Sequence, residues 1–529
     1  MILATTSALI LGAIAAAQSP APVSREAFAA FEASLSETTD LPPLEESPEP
    51  DGRYQPIVIE VVMPDTRTLP VLVMLPPDYD PQARWPLMLA MHGGPTDSPR
   101  SSFRGAVRML EVWHEAAADA GWIIASPAMT HVIARAPRTE QSLPYEILRA
   151  DQMESIVAAL SARYAIDDDR VVSTGISLGS NFSIAYAAAR PDRFAAIVPV
   201  STEGESRERL LRNLLHVPTF VLEGALDPNI RAIQGPRTMA AICRRFGYDI
   251  VYRELEDRAH EGFQEHYPAV LEWLSTRPRN AYPPEVLRVP HQGIVPLAKR
   301  VHWIESDTRR GLVRAQVRDR SRIEIETRWT RSLRVFLSDH LVSLDAPIEI
   351  AVNGERVFHD SVPRSIELAK SMVRDAGDSG RVYANAVRID VPVSSAAYES
   401  SRRFSESLAP REPAGTLSFW ETYATRSLEA RLPSLGIEGA VAKPAPGTDL
   451  TALHIDAVAE GSPFAQAGLR EGDVLLEVDG EPFFGDSSVE ELRAWLVREL
   501  DHIPREIPMR VRRGGTELTL RANLALAPF

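Results

Sequence analysis

The stretch that most limits what this chain can fold into runs from Arg170 to Ala189. Arg170-Val171-Val172-Ser173-Thr174 reads as a short buried strand and Asn181 to Ala189 as a helix, with Gly175-Ile176-Ser177-Leu178-Gly179 between them. A chain that passes from strand to helix through Gly-x-Ser-x-Gly turns too tightly for Cβ atoms beside the serine. The serine is held in a strained conformation with its hydroxyl exposed. The following helix points its N-terminus at that hydroxyl, which favours negative charge developing there. This is the pattern of a nucleophile elbow.

The surrounding sequence has the periodicity such a turn requires. Strands are predicted at Ile57–Val62, Val71–Leu75 and Leu87–Met91, the last a continuous apolar run of the kind found at a sheet centre. It ends in His92-Gly93-Gly94-Pro95. Helix Phe103–Ala120, strand Trp122–Ser126, helix Tyr145–Arg163, the elbow, strand Ala195–Val200, strand Thr219–Glu223, a helix over Thr238–Phe246, strand Ile250–Leu255 and helix Glu265–Ser275 follow. Such alternation predicts an α/β class with a mostly parallel sheet and helices on both faces. Beyond Pro283 the pattern becomes short alternating strands, with Asn353-Gly354 as a hairpin turn, and predicts a small antiparallel β domain.

At 529 residues the chain holds more than one domain, and its net charge of −15 argues against nucleic acid and against attachment to anionic membranes. Met1–Ala17 is apolar with no charged side chain, and Ala15-Ala16-Ala17 fits a signal-peptide cleavage site. The expectation is a periplasmic or secreted protein with no integral membrane span in the mature chain; an uncleaved N-terminal helix is the alternative. Cys243 is the only cysteine, so no intrachain disulfide forms. On its predicted helix it reads as buried and inert. The twelve histidines make no H-x-x-x-H pair and a single cysteine makes no C-x-x-C, so neither metal nor cofactor is implied. Asp167-Asp168-Asp169 reads as a solvated turn.

An activated serine needs a base, and the base an orienting acid. Ser177 is followed in chain order by Asp227, just beyond strand Thr219–Glu223, and by His260, on the loop after strand Ile250–Leu255. Groups beyond the C-terminal ends of parallel strands face the ligand-binding edge of the sheet. Asp257 is the competing acid, and His266 the competing base. For an oxyanion, Leu178 supplies one backbone N–H, and Gly93 or Gly94 the second.

On these motifs, roughly residues 55–278 resemble an α/β-hydrolase. The likeness is to secreted esterases related to poly-hydroxyalkanoate depolymerases, feruloyl esterases and dienelactone hydrolase, and to the prolyl-oligopeptidase catalytic domain. Many members carry G-x-S-x-G-G; here Ser180 replaces the last glycine. The residues before Ile57 are too few for a propeller, which tilts the reading from peptide toward ester. Lids are commonly inserted between the strands that here end at Val200 and begin at Thr219. That segment is short, so the resemblance implies an open site and an ester substrate that is bulky or polymeric.

The run Gly461-Ser462-Pro463-Phe464-Ala465-Gln466-Ala467-Gly468-Leu469-Arg470-Glu471-Gly472-Asp473 closely resembles a PDZ domain, with Phe464 where a small residue is usual. The resemblance implies a carboxylate-binding loop at Ser434-Leu435-Gly436-Ile437, a groove helix at Ser487–Leu500 and a protein C-terminus as ligand. Packing or self-association is the alternative. The expected organisation is signal peptide 1–17, linker with a short helix 18–53, catalytic domain 54–282, antiparallel β domain 283–393, linker 394–433 and PDZ domain 434–529. The resemblance implies a serine esterase. A prolyl-oligopeptidase-type peptidase with PDZ recognition, and an inactive scaffold, are the alternatives.

Overall fold

The computed structural model describes residues 23–36, 56–63, 68–94, 98–129, 150–291, 295–408, 435–444, 450–484 and 505–524. The predicted signal peptide, Ser434 and the predicted groove helix lie outside them.

Eight strands form the first sheet: β1 (Ile57–Val62), β2 (Thr68–Met74), β3 (Trp85–Met91), β4 (Ile123–Pro127), β5 (Ile166–Ile176), β6 (Ala196–Val200), β7 (Thr219–Gly224) and β8 (Ile250–Leu255), in the order β1-β2-β4-β3-β5-β6-β7-β8. The pairings of β2 with β1 and with β4 are antiparallel; the rest of the sheet is parallel. The helices of this half are α2 (Pro99–Ala120), α3 (Ala150–Ser161), α4 (Leu178–Ala189), the one-turn α5 (Glu208–Leu211), α6 (Ile230–Phe246) and α7 (Tyr267–Ser275). Along β3, Leu87, Leu89 and Met91 pack toward α3, α4 and α6, while Met88 and Ala90 pack toward α2 and α7. Both faces of β3 are therefore covered, which is why its sequence is apolar throughout. Cys243 is buried on α6, and burial pushes its thiol up to about 12.

The second domain holds two sheets, one of β10 (Arg300–Val301), β11 (Ile304–Ser306), β14 (Ser332–Leu337) and β17 (Asn385–Asp390), the other of β9 (Glu285–Arg288), β12 (Leu312–Asp319), β13 (Arg322–Arg328), β15 (Ile348–Val352) and β16 (Glu355–Asp360). They are antiparallel except for β13 with β15. The chain leaves for the other sheet as β14 and returns in the same direction, so that pair is parallel. Asn353 and Gly354 turn β15 into β16 with φ of 50° and 86°, the left-handed values a tight hairpin needs.

Two segments expected to be linker, the first with a short helix, carry helices that pack on this domain. Helix α1 (Arg25–Ser36) buries Phe28 in its core, with Phe31 and Leu35 against it. Past α8 (Ile366–Ala376), helix α9 (Ser395–Ser407) buries Phe404, with Leu408 beyond it, against Leu287 and Leu312. The expectation of a solvated turn at Asp167–Asp169 is also corrected. These residues lie in β5. Asp168 is buried and accepts the Ser379 N–H and hydroxyl at 2.9 and 2.7 Å, and Asp169 pairs with Arg279 at 2.8 Å. Arg279 continues to Asp378 at 2.7 Å, and Arg381 to Asp192 at 2.6 Å. Oppositely charged side chains thus alternate across the seam between the two domains, each buried charge held by a partner.

The last domain is a six-stranded sheet of β18 (Ile437–Pro444), β19 (Leu450–Val458), β20 (Val474–Val478), β21 (Glu481–Phe484), β22 (Arg505–Arg513) and β23 (Thr516–Leu524), in the order β18-β19-β21-β20-β22-β23. Among the described residues no helix is long and apolar enough to cross a membrane.

Candidate active site

Ser177 stands where β5 turns into α4, with φ 57° and ψ −122°. This left-handed φ is strained for a residue with a Cβ, and the surroundings hold it there. A Cβ on Gly175 would lie 2.2 Å from the Gly179 carbonyl carbon, and one on Gly179 would lie 2.1 Å from Met91 O. Both elbow glycines are therefore required by close backbone approach. The Ser177 N–H donates to Val200 O at 3.0 Å, tying the turn to the end of β6. Ser180, which replaces a common glycine, is buried and donates its hydroxyl to Ser177 O.

His92-Gly93-Gly94 leaves β3 beside this turn. A Cβ on Gly93 would sit 3.0 Å from Ile176 O and 3.2 Å from Ser177 Cβ, so glycine lets the loop close on the serine without displacing its neighbours. His92 is buried, and burial lowers its pKa, leaving the ring neutral; its Nδ1 lies 3.0 Å from Gly93 O. A bond there turns the Gly93 carbonyl toward the ring, and a trans peptide then aims the Gly94 N–H the opposite way. Leu178 opens α4, where a first-turn N–H has no intrahelical acceptor.

Asp227 and His260 are brought together, with His260 Nδ1 2.6 Å from Asp227 Oδ2. The Asp227 side chain is wholly buried and that of His260 is 37% exposed, so the ring bridges the interior and the open site. Asp227 Oδ1 accepts the Asn229 N–H at 2.8 Å. The two loops dock directly: Leu226 N–H donates to Arg258 O at 2.9 Å, and a Cβ on Gly224 would lie 2.2 Å from Ala259 O. The bond to Asp227 is the only hydrogen bond of the His260 side chain among the described residues, so none joins it to Ser177 Oγ. Such bonds often tighten only with substrate bound. Asp257 is exposed, and His266 lies 3.9 Å from Glu265 on its own turn.

Two further residues converge here that sequence reasoning did not single out. Glu223 on β7 is fully buried and accepts the Thr202 N–H at 2.9 Å. Its signal was a glutamate closing the apolar run Phe220-Val221-Leu222 within the strand. Ser201, directly after β6, is buried with φ 46° and bonds to Glu261; nothing local in the sequence marks it. Among the described residues no group of three or more His, Cys, Asp or Glu is placed to hold a metal ion.

Residues 65–235 match the family described as putative esterase, and residues 454–501 match the PDZ domain. The chain carries an esterase-family α/β-hydrolase domain followed by a PDZ domain. Solved structures similar to it include a thermostable esterase (20% identity, TM-score 0.34, 42% of this chain and 63% of that one), Porphyromonas gingivalis dipeptidyl peptidase 4 (13%, 0.33, 42% and 36%) and Agrobacterium tumefaciens S-formylglutathione hydrolase (16%, 0.33, 42% and 94%). The chain thus spans under two thirds of the first two. No curated relative matches it. At these identities and scores the structures are likenesses only; the family model over residues 65–235 carries the esterase-family domain.

In the PDZ domain, Leu435 is buried in the core, and Gly436 has φ 84°, with Ser462 so close that a Cβ would meet its hydroxyl at 1.9 Å. Ile437 opens β18, which is an edge of its sheet among the described residues.

Proposed function

We propose that this protein hydrolyses carboxylic esters through an acyl-enzyme on Ser177. The observation that carries the reading is the 2.6 Å pair of buried Asp227 with half-exposed His260, on loops leaving the same sheet edge as the strained Ser177 turn. Ser177 Oγ attacks the ester carbonyl and its proton passes to His260 Nε2; Asp227 holds the ring and stabilises the imidazolium. The Leu178 N–H and that of Gly93 or Gly94 receive the oxyanion. His260 then protonates the departing alcohol, and a water activated by the same ring releases the acid. The exposed His260 and the short β6–β7 connection suit a bulky or polymer-borne ester. The PDZ edge at Leu435–Ile437 serves a free protein C-terminus, and export through Met1–Ala17 to the periplasm or medium completes the proposal.

A matched panel of ester and amide substrates, run on the full chain, tests it. Feruloyl or short-chain acyl esters are turned over and peptides are not, because an amide demands protonation of a poorer leaving group and closer holding of the chain. Peptide cleavage at rates comparable with ester turnover would replace this reading with that of a peptidase.

A further inference from the structure

Resting on the assignment of Ser177 and His260 above, we propose that Ser201 is a positioning residue that sets the distance between nucleophile and base. Asp227 holds the His260 ring from the interior side, and Leu226 and Gly224 hold the backbone before it. All of those contacts come from the acid's own loop. They fix histidine to aspartate, while the ladder through β5, β6, β7 and β8 sets the strands from which the loops leave.

Ser201 adds a direct contact from the end of β6 to the histidine loop. Its hydroxyl donates to Glu261 O at 2.7 Å and accepts the Glu261 N–H at 3.2 Å, so one side chain closes both polar groups of the residue after His260. Its own N–H donates to Leu222 O at 3.0 Å, and the preceding residue, Val200, accepts the Ser177 N–H at 3.0 Å. The end of β6 therefore grips the nucleophile through Val200 and the histidine loop through Ser201. The next residue extends the grip: Thr202 Oγ1 donates to Asn181 Oδ1 on α4 at 2.8 Å, and its N–H meets Glu223 on β7.

Three features show a built contact. Ser201 is 1% exposed, so water does not compete for its hydroxyl. It holds φ 46°, a value that costs a residue with a side chain and persists where surroundings enforce it. The loop is fixed beyond Glu261 as well, by Phe263, fully buried with φ 57°. Serine is the smallest side chain that both donates and accepts at this reach.

The test compares Ser201→Ala with Ser201→Gly in the full chain. Both delete the hydroxyl, and glycine also relieves the backbone strain. The readouts are kcat and KM for an ester and amide hydrogen exchange over residues 259–263. With Ser201 as the clamp, both variants lose kcat by about 10- to 100-fold, the scale of a misplaced catalytic group. KM stays within about threefold, and amides 259–263 exchange faster. Wild-type kcat in either folded variant, a loss confined to KM, or unchanged exchange over 259–263 overturns the proposal. Should the alanine variant not fold, the glycine variant carries the test alone. A wild-type protein that turns over no ester would sink the proposed function instead, while the exchange measurement still decides whether Ser201 anchors the loop.

Discussion

Glu223 illustrates how one side chain can tie stability to pH. Burial comes first, and the charge of Asp227 adds to it; together they push its carboxyl up to about 9. The folded protein therefore binds a proton that the unfolded chain, near the ordinary 4.5, releases. Between those values the unfolded state holds fewer protons, so this group makes stability fall as pH rises, by about 1.4 kcal/mol per pH unit. Glutamine keeps an acceptor for the Thr202 N–H and cannot ionise. Glu223→Gln is thus expected to gain on the wild type in urea midpoint between pH 5.5 and 8. A constant difference across that range would mean that Glu223 is ionised in the fold.

At the scale of elements, the elbow, the His92 loop and the loops after β7 and β8 are four connections docked backbone to backbone. Gly179→Ala drives a Cβ into Met91 O, with backbone on both sides and nothing to yield. The expected result is a lower melting temperature together with loss of ester turnover; a variant with wild-type values would show that the turn adapts. Much of this arrangement was legible in the sequence because it is written locally. Gly175 and Gly179 flank their serine, and Asp227 and His260 each follow a segment that reads as a strand. What was not legible depends on residues far apart in the chain. Asp168 and Asp169 look like a solvated cluster until Ser379 and Arg279 are placed against them. Helices α1 and α9 look like linker decoration until Phe28 and Phe404 find their cores. Ser201 is one serine among many until Glu261 is brought to it.

Across the whole molecule, the domains are joined by charge buried at their seams. Where the PDZ domain meets the accessory domain, Glu481 is buried against the Thr308 hydroxyl, the Arg309 N–H at 3.0 Å and Lys299 at 3.3 Å. Arg331 reaches Glu477 at 3.1 Å beside it. Removing one partner of a buried polar pair leaves the others unsatisfied. Glu481→Ala is expected to uncouple the PDZ domain, giving it a separate, earlier transition in calorimetry, with ester turnover unchanged. One joint transition identical to the wild type would show that the contact does not hold the domains together.

We propose Ser177 as the nucleophile, activated by His260 with Asp227. A fluorophosphonate probe, followed by mass spectrometry of the labelled peptide, measures this most directly. The expected result is one adduct, on Ser177, absent in Ser177→Ala, and slowed by several thousand-fold in His260→Ala, as the loss of a member of such a unit requires. An adduct on another serine, or none on the folded wild-type protein, would contradict it.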